Sequence, residues 1–396
     1  MKSLQSILFI SFLTIFISCG SSGETSEDIF IEKLTVNSLS EFTAQEETKS
    51  VNISSNIDWD VTTNQNWISV TPTSSANNGK IDVTVLENTT LNLRTGIIQV
   101  SGGSLSETIE VKQAGKENVT NAPSENFDLS TWNLSVPENN GNGIATTITV
   151  SELNNKYKNN KYFYTSDDGG MVFKCPVNGF KTSANTSYTR VELREMLRGT
   201  DTSISTKGVN KNNWVFGTAP STDLNAAAGY DGVMNATLAI NHVTTTGNSS
   251  HIGRLVIGQI HANDDEPVRI YYRKLKENAL GSIYFAHEPT DGNGSEQWYE
   301  LIGSRSSSAS NPADGIALNE KFTYSIKVVG DSLTITISRD GKDDVSKTVD
   351  MVKSGYNVGG QYMYFKAGVY HLNNSGDTTD YAQATFYSLD KSHTTK

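Results

Sequence analysis

From residue 28 to residue 389 the apolar side chains recur at every second position in short runs, and Asn, Gly and Ser cluster between the runs. A period of two places successive side chains on opposite faces of a strand, whereas a helix needs a repeat near 3.6. Only residues 150–156 carry a helical pattern. A chain patterned this way must bury one face of each strand against another sheet, which confines it to sandwiches, barrels and jelly rolls. The 396 residues are too many for one small core and suit two domains. The polar, Pro123-containing stretch at 117–124 reads as the linker between them. The expected organisation is a β-sandwich over 28–116 and a larger all-β fold over 125–390.

The chain opens differently. Met1-Lys2 is followed by an almost wholly apolar run at residues 7–17. That run is too short to span a bilayer and fits the apolar region of an export signal. It ends at Ser18-Cys19-Gly20, which resembles a bacterial lipoprotein box, although Phe16 stands where Leu is usual. Residues 1–18 are therefore read as a lipoprotein signal peptide, Cys19 as the lipidated residue, and 19–27 as a polar tether. The chain is expected to be exported and held at the outer membrane, on its periplasmic or cell-surface face, as a monomer. Cys175 would then be the lone remaining cysteine, so no disulfide is expected.

In the first module, strands are expected at 29–36, 49–54, 59–62, 81–86, 96–101 and 107–113. Trp59-Asp-Val61, Trp67-Ile-Ser-Val70, Asn88, Arg94 and the closing Val111-Lys-Gln-Ala-Gly115 resemble a BACON domain, an immunoglobulin-like module on exported carbohydrate-active proteins of Bacteroidetes. Trp59 and Trp67 have two readings, a glycan platform or core residues of a spacer; the second fits the hydrophobic residues beside each.

Three later segments carry the chemistry. In Tyr188-Thr-Arg-Val-Glu-Leu-Arg-Glu-Met196 the period of two puts Tyr188, Arg190, Glu192 and Arg194 on one face and Val191 and Leu193 on the other. Glu192 is placed to orient both arginines, which together grip a carboxylate. In Leu255-Val-Ile-Gly-Gln-Ile-His261, Gln259 and His261 share a face opposite Ile260, and His is the side chain suited to proton transfer near neutrality. The Asn263-Asp-Asp-Glu-Pro267 run that follows lacks calcium-loop spacing and reads as a solvated turn. Beyond it Arg269, Tyr271 and Arg273 share a face and would extend a basic row. In Tyr364-Phe-Lys-Ala-Gly-Val-Tyr370, Tyr364, Lys366, Gly368 and Tyr370 face one way, with Gly368 read as room for a substrate. Combined, the three strands make a cation-rich face with one His and one or two Tyr able to move protons.

Arg190-Val-Glu-Leu-Arg194, Gln259-Ile-His261 and Tyr364-Phe-Lys-Ala-Gly-Val-Tyr370 resemble, in order, the three signature segments of family 7 polysaccharide lyases, the alginate lyases. Phe127-Asp-Leu-Ser-Thr-Trp-Asn-Leu-Ser-Val-Pro137 is similar to the family's opening segment. Val191 stands where Ser or Thr is frequent. The resemblance implies a β-jelly roll, a concanavalin-like sandwich, with a groove across one sheet and a β-elimination that uses no cofactor and no metal. It implies catalytic roles for His261 as base, Tyr370 as acid, and Arg190 and Gln259 around the substrate carboxylate. Glu192, Arg194, Lys366 and Tyr364 are expected to bind substrate, with Arg269, Tyr271 and Arg273 extending the groove. The partner would be alginate or a related polyuronate. Ile260 between Gln259 and His261 goes, in the family, with guluronate-containing blocks. The long segments at 198–254 and 281–305 favour exolytic cutting.

Other classes fit less well. A net charge of −11 argues against nucleic acid, whose phosphates need a basic footprint. No serine-nucleophile or metal-ligand spacing is present. A glycoside hydrolase needs a second carboxylate opposite Glu192, and the pattern supplies none. A lyase for another polyuronate, such as glucuronan, and a non-catalytic glycan-binding jelly roll remain the alternatives. The first would use the same catalytic groups; the second has no need of His261 and Tyr370.

Overall fold

Alternation in sequence becomes alternation in burial. Along Arg94–Gly102, Gly96, Ile98 and Val100 are buried while Ile97, between the first two, is 44% exposed. The computed structural model describes residues 30–90, 92–116 and 121–395. They fall into two compact units that part after Asn118. The signal peptide, the tether and Cys19 lie outside the described residues. The stretch read as the end of the linker is structured: Ala122 and Pro123 are buried at a single 3-10 turn, Pro123–Glu125.

The first unit is a sandwich of two four-stranded sheets. One holds Leu34–Val36, Glu47–Ser55, Gly79–Val85 and Ile68–Thr71, and the other Ser74–Ala76, Asp58–Thr63, Arg94–Gly102 and Leu105–Gln113. Two short strands, Ile68–Thr71 and Ser74–Ala76, were not expected from the pattern. Trp59 and Trp67 both belong to the core cluster. Trp59 Nε1 donates to the Asn77 carbonyl at 2.8 Å, and the Arg94 guanidinium lies 4.2 Å above the Trp67 ring. Neither indole presents a face to a glycan. Asn88, fully buried, donates to the carbonyls of Asn92 and Ala114, and Arg94 Nε donates to Gln113 Oε1 at 2.9 Å. The polar residues of this motif thus satisfy backbone at one end of the sandwich.

The second unit is a jelly roll of two large sheets. The strands that position the site are β1 (Trp132–Asn139), β2 (Ala145–Ile148), β3 (Thr189–Glu195), β4 (Arg254–His261), β5 (Val268–Arg273), β6 (Leu280–His287), β7 (Gln297–Ile302) and β8 (Tyr364–His371). They lie in the order β2-β1-β3-β8-β4-β5-β6-β7, all antiparallel. The opposing sheet runs Phe163–Thr165, Met171–Pro176, Tyr381–Thr394, Gly229–His242, Lys321–Val329, Ser332–Ser338 and Val345–Asp350. Val191, Leu193, Ile257, Ile260, Phe365, Ala367 and Val369 fill the space between the sheets with Phe173, Tyr324 and Phe386. Each of the larger aliphatic and phenyl side chains contributes about 1.5–3 kcal/mol by leaving water. The helical pattern at 150–156 forms a short helix, Val150–Asn154, with a capping box between Thr149 and Glu152.

Three features depart from simple alternation. The register of β4 slips by one residue between Val256 and Gly258 against both neighbours. The Tyr324 ring occupies the space where a Cβ on Gly258 would sit, and its hydroxyl donates to the Ile257 carbonyl at 3.1 Å. Because of this slip, Val256 joins Gln259 and His261 on the open face although it is an odd number of residues from both. Second, Gly368 has φ +137°, and a Cβ there would come within 2.6 Å of the Val191 carbonyl oxygen and 3.0 Å of Phe173. The glycine meets a backbone requirement, not a need for substrate room, which corrects the expectation above. Third, Glu195 projects on the core side of β3. It is held there by Lys391 and His393, each at 2.8 Å, by Trp214 Nε1 at 3.1 Å and by the Phe365 N–H at 3.0 Å. Burial alone would raise its pKa, but His393 and Lys391 outweigh it and hold the carboxyl down at about 2.

Candidate active site

The open face of β3, β8 and β4 gathers the residues singled out above. Cross-strand register sets Arg190 opposite Tyr370, Arg194 opposite Lys366, Lys366 opposite Gln259 and Tyr364 opposite His261. Glu192 is the hub. Its side chain is 1% exposed and ties Arg190 Nη1 at 3.0 Å and Lys366 Nζ at 2.5 Å, and it accepts from Gln259 Nε2 at 2.5 Å. Burial would raise the Glu192 pKa; the Lys366 ammonium and the Arg190 guanidinium outweigh it and keep the carboxylate below its ordinary value. With its oxygens occupied and no open surface, Glu192 positions the cations instead of touching a sugar.

Arg194 was expected to share Glu192 with Arg190. It instead donates to the Thr206 carbonyl at 2.8 Å and lies 4.0 Å above the Tyr364 ring, because Glu192 is already filled by Lys366 from the neighbouring strand. Tyr364 in turn stacks on His261, with centroids 5.0 Å apart and 10° between planes. His261 Nδ1 donates to the Ala262 carbonyl at 2.6 Å, so the neutral ring leaves Nε2 as its acceptor. Burial first, then the Lys366 charge, pushes the His261 pKa down to about 4. Burial likewise lowers Lys366 to about 8, with Arg190 adding to the shift and Glu192 opposing it. Tyr370, raised by burial, stays protonated at neutrality under the Arg190 guanidinium, whose carbon is 3.9 Å from the ring centre. His261 and Tyr370 both feel the charges of Arg190 and Glu192; the register sets Tyr370 opposite Arg190 at one end of the polar row and His261 opposite Tyr364 at the other.

The basic row expected along β5 is divided. Arg269 is clamped by Glu266 at 3.5 Å, by Glu288 at 3.2 Å and by Glu296, so it offers no free charge to a substrate. Tyr271 is buried and stacks on Tyr284 at 5.0 Å. Arg273, also buried, donates to the Ser249 and Arg305 carbonyls. The turn at 263–267, read as solvated, sends Glu266 back to within 3.5 Å of His261 Nε2. The pattern missed Glu266 and His251, and it gave Tyr188 a face but no role. The Tyr188 ring packs edge-on against Tyr370 with centroids 6.2 Å apart, and its hydroxyl sits 3.3 Å from His251 Nε2. Tyr188 shares the parity of Arg190 and was visible on that ground; His251 lies in a turn with no periodic signal. Among the described residues no cluster of His, Cys, Asp or Glu has the arrangement of a metal site. Cys175 is a buried thiol, and burial pushes its pKa up to about 12.

A neutral imidazole acceptor and a protonated phenol beside a guanidinium–ammonium cluster, set on the open sheet of a jelly roll, are the groups an enzyme needs to move protons at an anionic substrate. Comparison with known proteins narrows the class. Residues 127–393 match the alginate lyase family profile, and residues 58–114 match the BACON profile. An alginate lyase from Klebsiella pneumoniae is 55% identical over 280 residues, 69% of this chain and 91% of that one. The crystal structure of the alginate lyase from Klebsiella pneumoniae superposes with TM-score 0.68 at 54% identity, covering 69% of this chain and 98% of that one. Alginate lyase A1-II', a member of polysaccharide lyase family 7, aligns with TM-score 0.50 at 29% identity over 69% of this chain and all of that one. The exolytic lyase AlyA5 from Zobellia galactanivorans shares the fold, with TM-score 0.53 at 22% identity over 70% of this chain and 99% of its own. The chain belongs to the alginate lyase family and is a polysaccharide lyase.

Proposed function

We propose that the groove cuts alginate by β-elimination, with His261 and Tyr370 as the proton-transfer pair. The observation that carries this reading is the protonation pattern: an imidazole held neutral with Nε2 free to accept, and a phenol held protonated, on either side of Arg190 and Lys366. In 1,4-linked uronate the C5 proton lies α to the carboxylate. Arg190, Gln259 and Lys366 neutralise that carboxylate and stabilise the enolate-like charge that forms when C5–H breaks. For guluronate His261 takes this proton. The electron pair then forms C4=C5, the C4–O4 bond breaks, and O4 takes the proton of Tyr370. For mannuronate, whose C5 proton lies on the other side, Tyr370 serves both steps: it first gives its own proton to solvent, takes the C5 proton as phenolate, and returns that proton to O4 as the C4–O4 bond breaks. Arg194 and Tyr364 hold the neighbouring uronate and the imidazole.

The enzyme of this proposal works exolytically and accepts guluronate-containing blocks. Arg273 supports the exolytic reading by tying the loop at Ser249 to the loop at Arg305 across one end of the groove, at 2.6 and 2.7 Å. The block preference rests on Ile260, which is buried in the core and acts only through the strand that carries Gln259 and His261. We further propose that the enzyme is exported by the signal at residues 1–18 and held as a monomer at the outer membrane by a lipid on Cys19; Cys19→Ala should move it out of the membrane fraction.

The test is absorbance at the unsaturated-uronate band with alginate. Wild type should generate signal, and His261→Ala and Tyr370→Phe should each lower the rate about 10²–10⁴-fold while remaining folded. Small unsaturated products should appear from the first turnovers while viscosity falls slowly. Absence of signal on alginate, polymannuronate and polyguluronate rejects the substrate, and an early ladder of long products rejects the exolytic mode.

A further inference from the structure

Beyond the proton-transfer pair, toward β5, β6 and β7, the open face continues into a second pocket of about 520 Å³, lined by Arg254, Arg273, Tyr284, Trp298, Glu300 and Arg305 with serines of the two end loops. Arg254 and Arg273 are direct cross-strand neighbours. Like charges placed opposite one another on a sheet repel, and here one of the two is buried, at 5% exposure. Arg273 is lowered by burial and further by Arg254, and no carboxylate is among the groups that act on it. Among the described residues none forms an ion pair with Arg254 either. The contrast with Arg269, four residues earlier on the same strand and held by Glu266, Glu288 and Glu296, is direct. One arginine of β5 has its charge cancelled from within the protein; the other has a second arginine beside it. Glu300, the acid in the pocket wall, spends Oε1 on the Arg305 N–H at 2.7 Å and the Ser304 hydroxyl at 2.8 Å.

The floor is aromatic. Trp298 lies 5.3 Å from Tyr271 and 6.0 Å from Tyr284, and the Arg305 guanidinium sits 4.7 Å above the Trp298 ring. A half-exposed indole beside clustered guanidinium groups suits a sugar that carries a carboxylate: the sugar meets the exposed rim of the indole and the carboxylate accepts from the forks. Arg254 is two residues along β4 from Val256, which is paired with Tyr370, so the pocket lies about 7 Å along the strand from the acid. That separation suits a different uronate from the one being cut.

We propose that Arg254, Arg273 and Arg305, beside the rim of Trp298, form a carboxylate-binding subsite that takes a second uronate of the chain at the loop-closed end of the groove. This inference rests on the polyuronate reading above. Arg254 supplies the open charge, Arg273 holds the two loops that wall the pocket, and Arg305 caps the indole.

The experiment separates the two. Cleavage by wild type, read by absorbance, tests the lyase. The subsite is tested by calorimetric titration of the His261→Ala protein, with and without Arg254→Gln, using guluronate trimer and tetramer and the same oligomers with their carboxylates reduced to alcohols. The expected result is about tenfold weaker binding of the charged oligomers on Arg254→Gln, little change for the reduced ones, and recovery with Arg254→Lys. In the cleavage-competent protein Arg254→Gln should raise KM for oligomers while leaving kcat near wild type. Equal loss for charged and reduced oligomers, or unchanged affinity for both, overturns the subsite. Thermal unfolding of Arg254→Gln shows whether any loss is one of folding; in that case Arg305→Gln, on the exposed loop, must reproduce the charge-selective loss or the proposal fails.

Discussion

Glu192→Gln is the most informative single change. The carboxylate is buried and holds Arg190, Lys366 and Gln259 on three adjacent strands. Gln has nearly the same shape but cannot balance two cations. Removing one partner of a buried ion pair costs about 3–5 kcal/mol, because the remaining charge is left in a medium that solvates it poorly. A domain of this size loses about 2–4 °C of melting temperature per kcal/mol, so a fall on the order of 10 °C is expected at pH 7. The pH dependence identifies the cause. Lys366 already sits at about 8 in the folded wild type, against about 10.4 in an unfolded chain. Without Glu192 its folded value drops further. The unfolded chain then binds a proton that the folded variant lacks, so the stability of the variant climbs with pH over a wider interval. Its deficit relative to wild type should narrow as pH rises towards about 8, where the wild-type Lys366 also begins to lose its proton, and stay constant above. The assay is thermal unfolding of both proteins from pH 6 to 9. A fall under about 2 °C at pH 7 with no pH trend would show that the cations do not depend on Glu192, and the reasoning would be wrong.

Three further outcomes follow from the geometry. Since His261 is held down to about 4 and Lys366 to about 8, kcat/KM on alginate should be flat between those values and fall above pH 8; Lys366→Arg should move the alkaline limb upward. Glu195→Gln should destabilise the fold by about 3–5 kcal/mol at neutrality. Its native pKa is about 2 against an ordinary 4.5, so the wild-type advantage is complete above 4.5 and should shrink as pH falls from there towards 2, as read by denaturant unfolding across that range. Gly368→Ala should cost about 1–3 kcal/mol through its positive φ and its contact with the Val191 carbonyl, measured as a lower denaturant midpoint; an unchanged midpoint would contradict the geometry.

Much of this site was open to reading because strand parity is simple. Arg190, Glu192 and Arg194 face together, as do Gln259 with His261 and Tyr364 with Lys366 and Tyr370, and all lie on strands that are neighbours in the sheet. What parity does not carry is how charges pair across the sheet. Glu192 was assigned to both arginines of its own strand, yet Lys366 from the next strand takes one place. Arg269 looked like a free cation until Glu266, Glu288 and Glu296 converged on it from turns without periodicity. Glu195 has the parity of core residues, and nothing local in the sequence announces that Lys391 and His393 lie under it. The slip at Ile257-Gly258 depends on Tyr324 from the opposing sheet. Trp59 and Trp67 could be read either way until their burial was known.

The Glu192 hub also bears on how the sheet assembles. A slip of one residue in β3, β8 or β4 would turn that strand's polar row inward, sending Arg190, Glu192 and Arg194, or Lys366, or Gln259 and His261, into the apolar interior while Val191, Leu193, Phe365 or Ile260 met water. Each misaligned pairing would also forfeit the hydrogen-bonded charges that only one alignment brings together. Groups kept for chemistry thereby act as a proofreading device for folding, and a variant that disarms the hub should refold to a more heterogeneous population of strand registers than the parent enzyme.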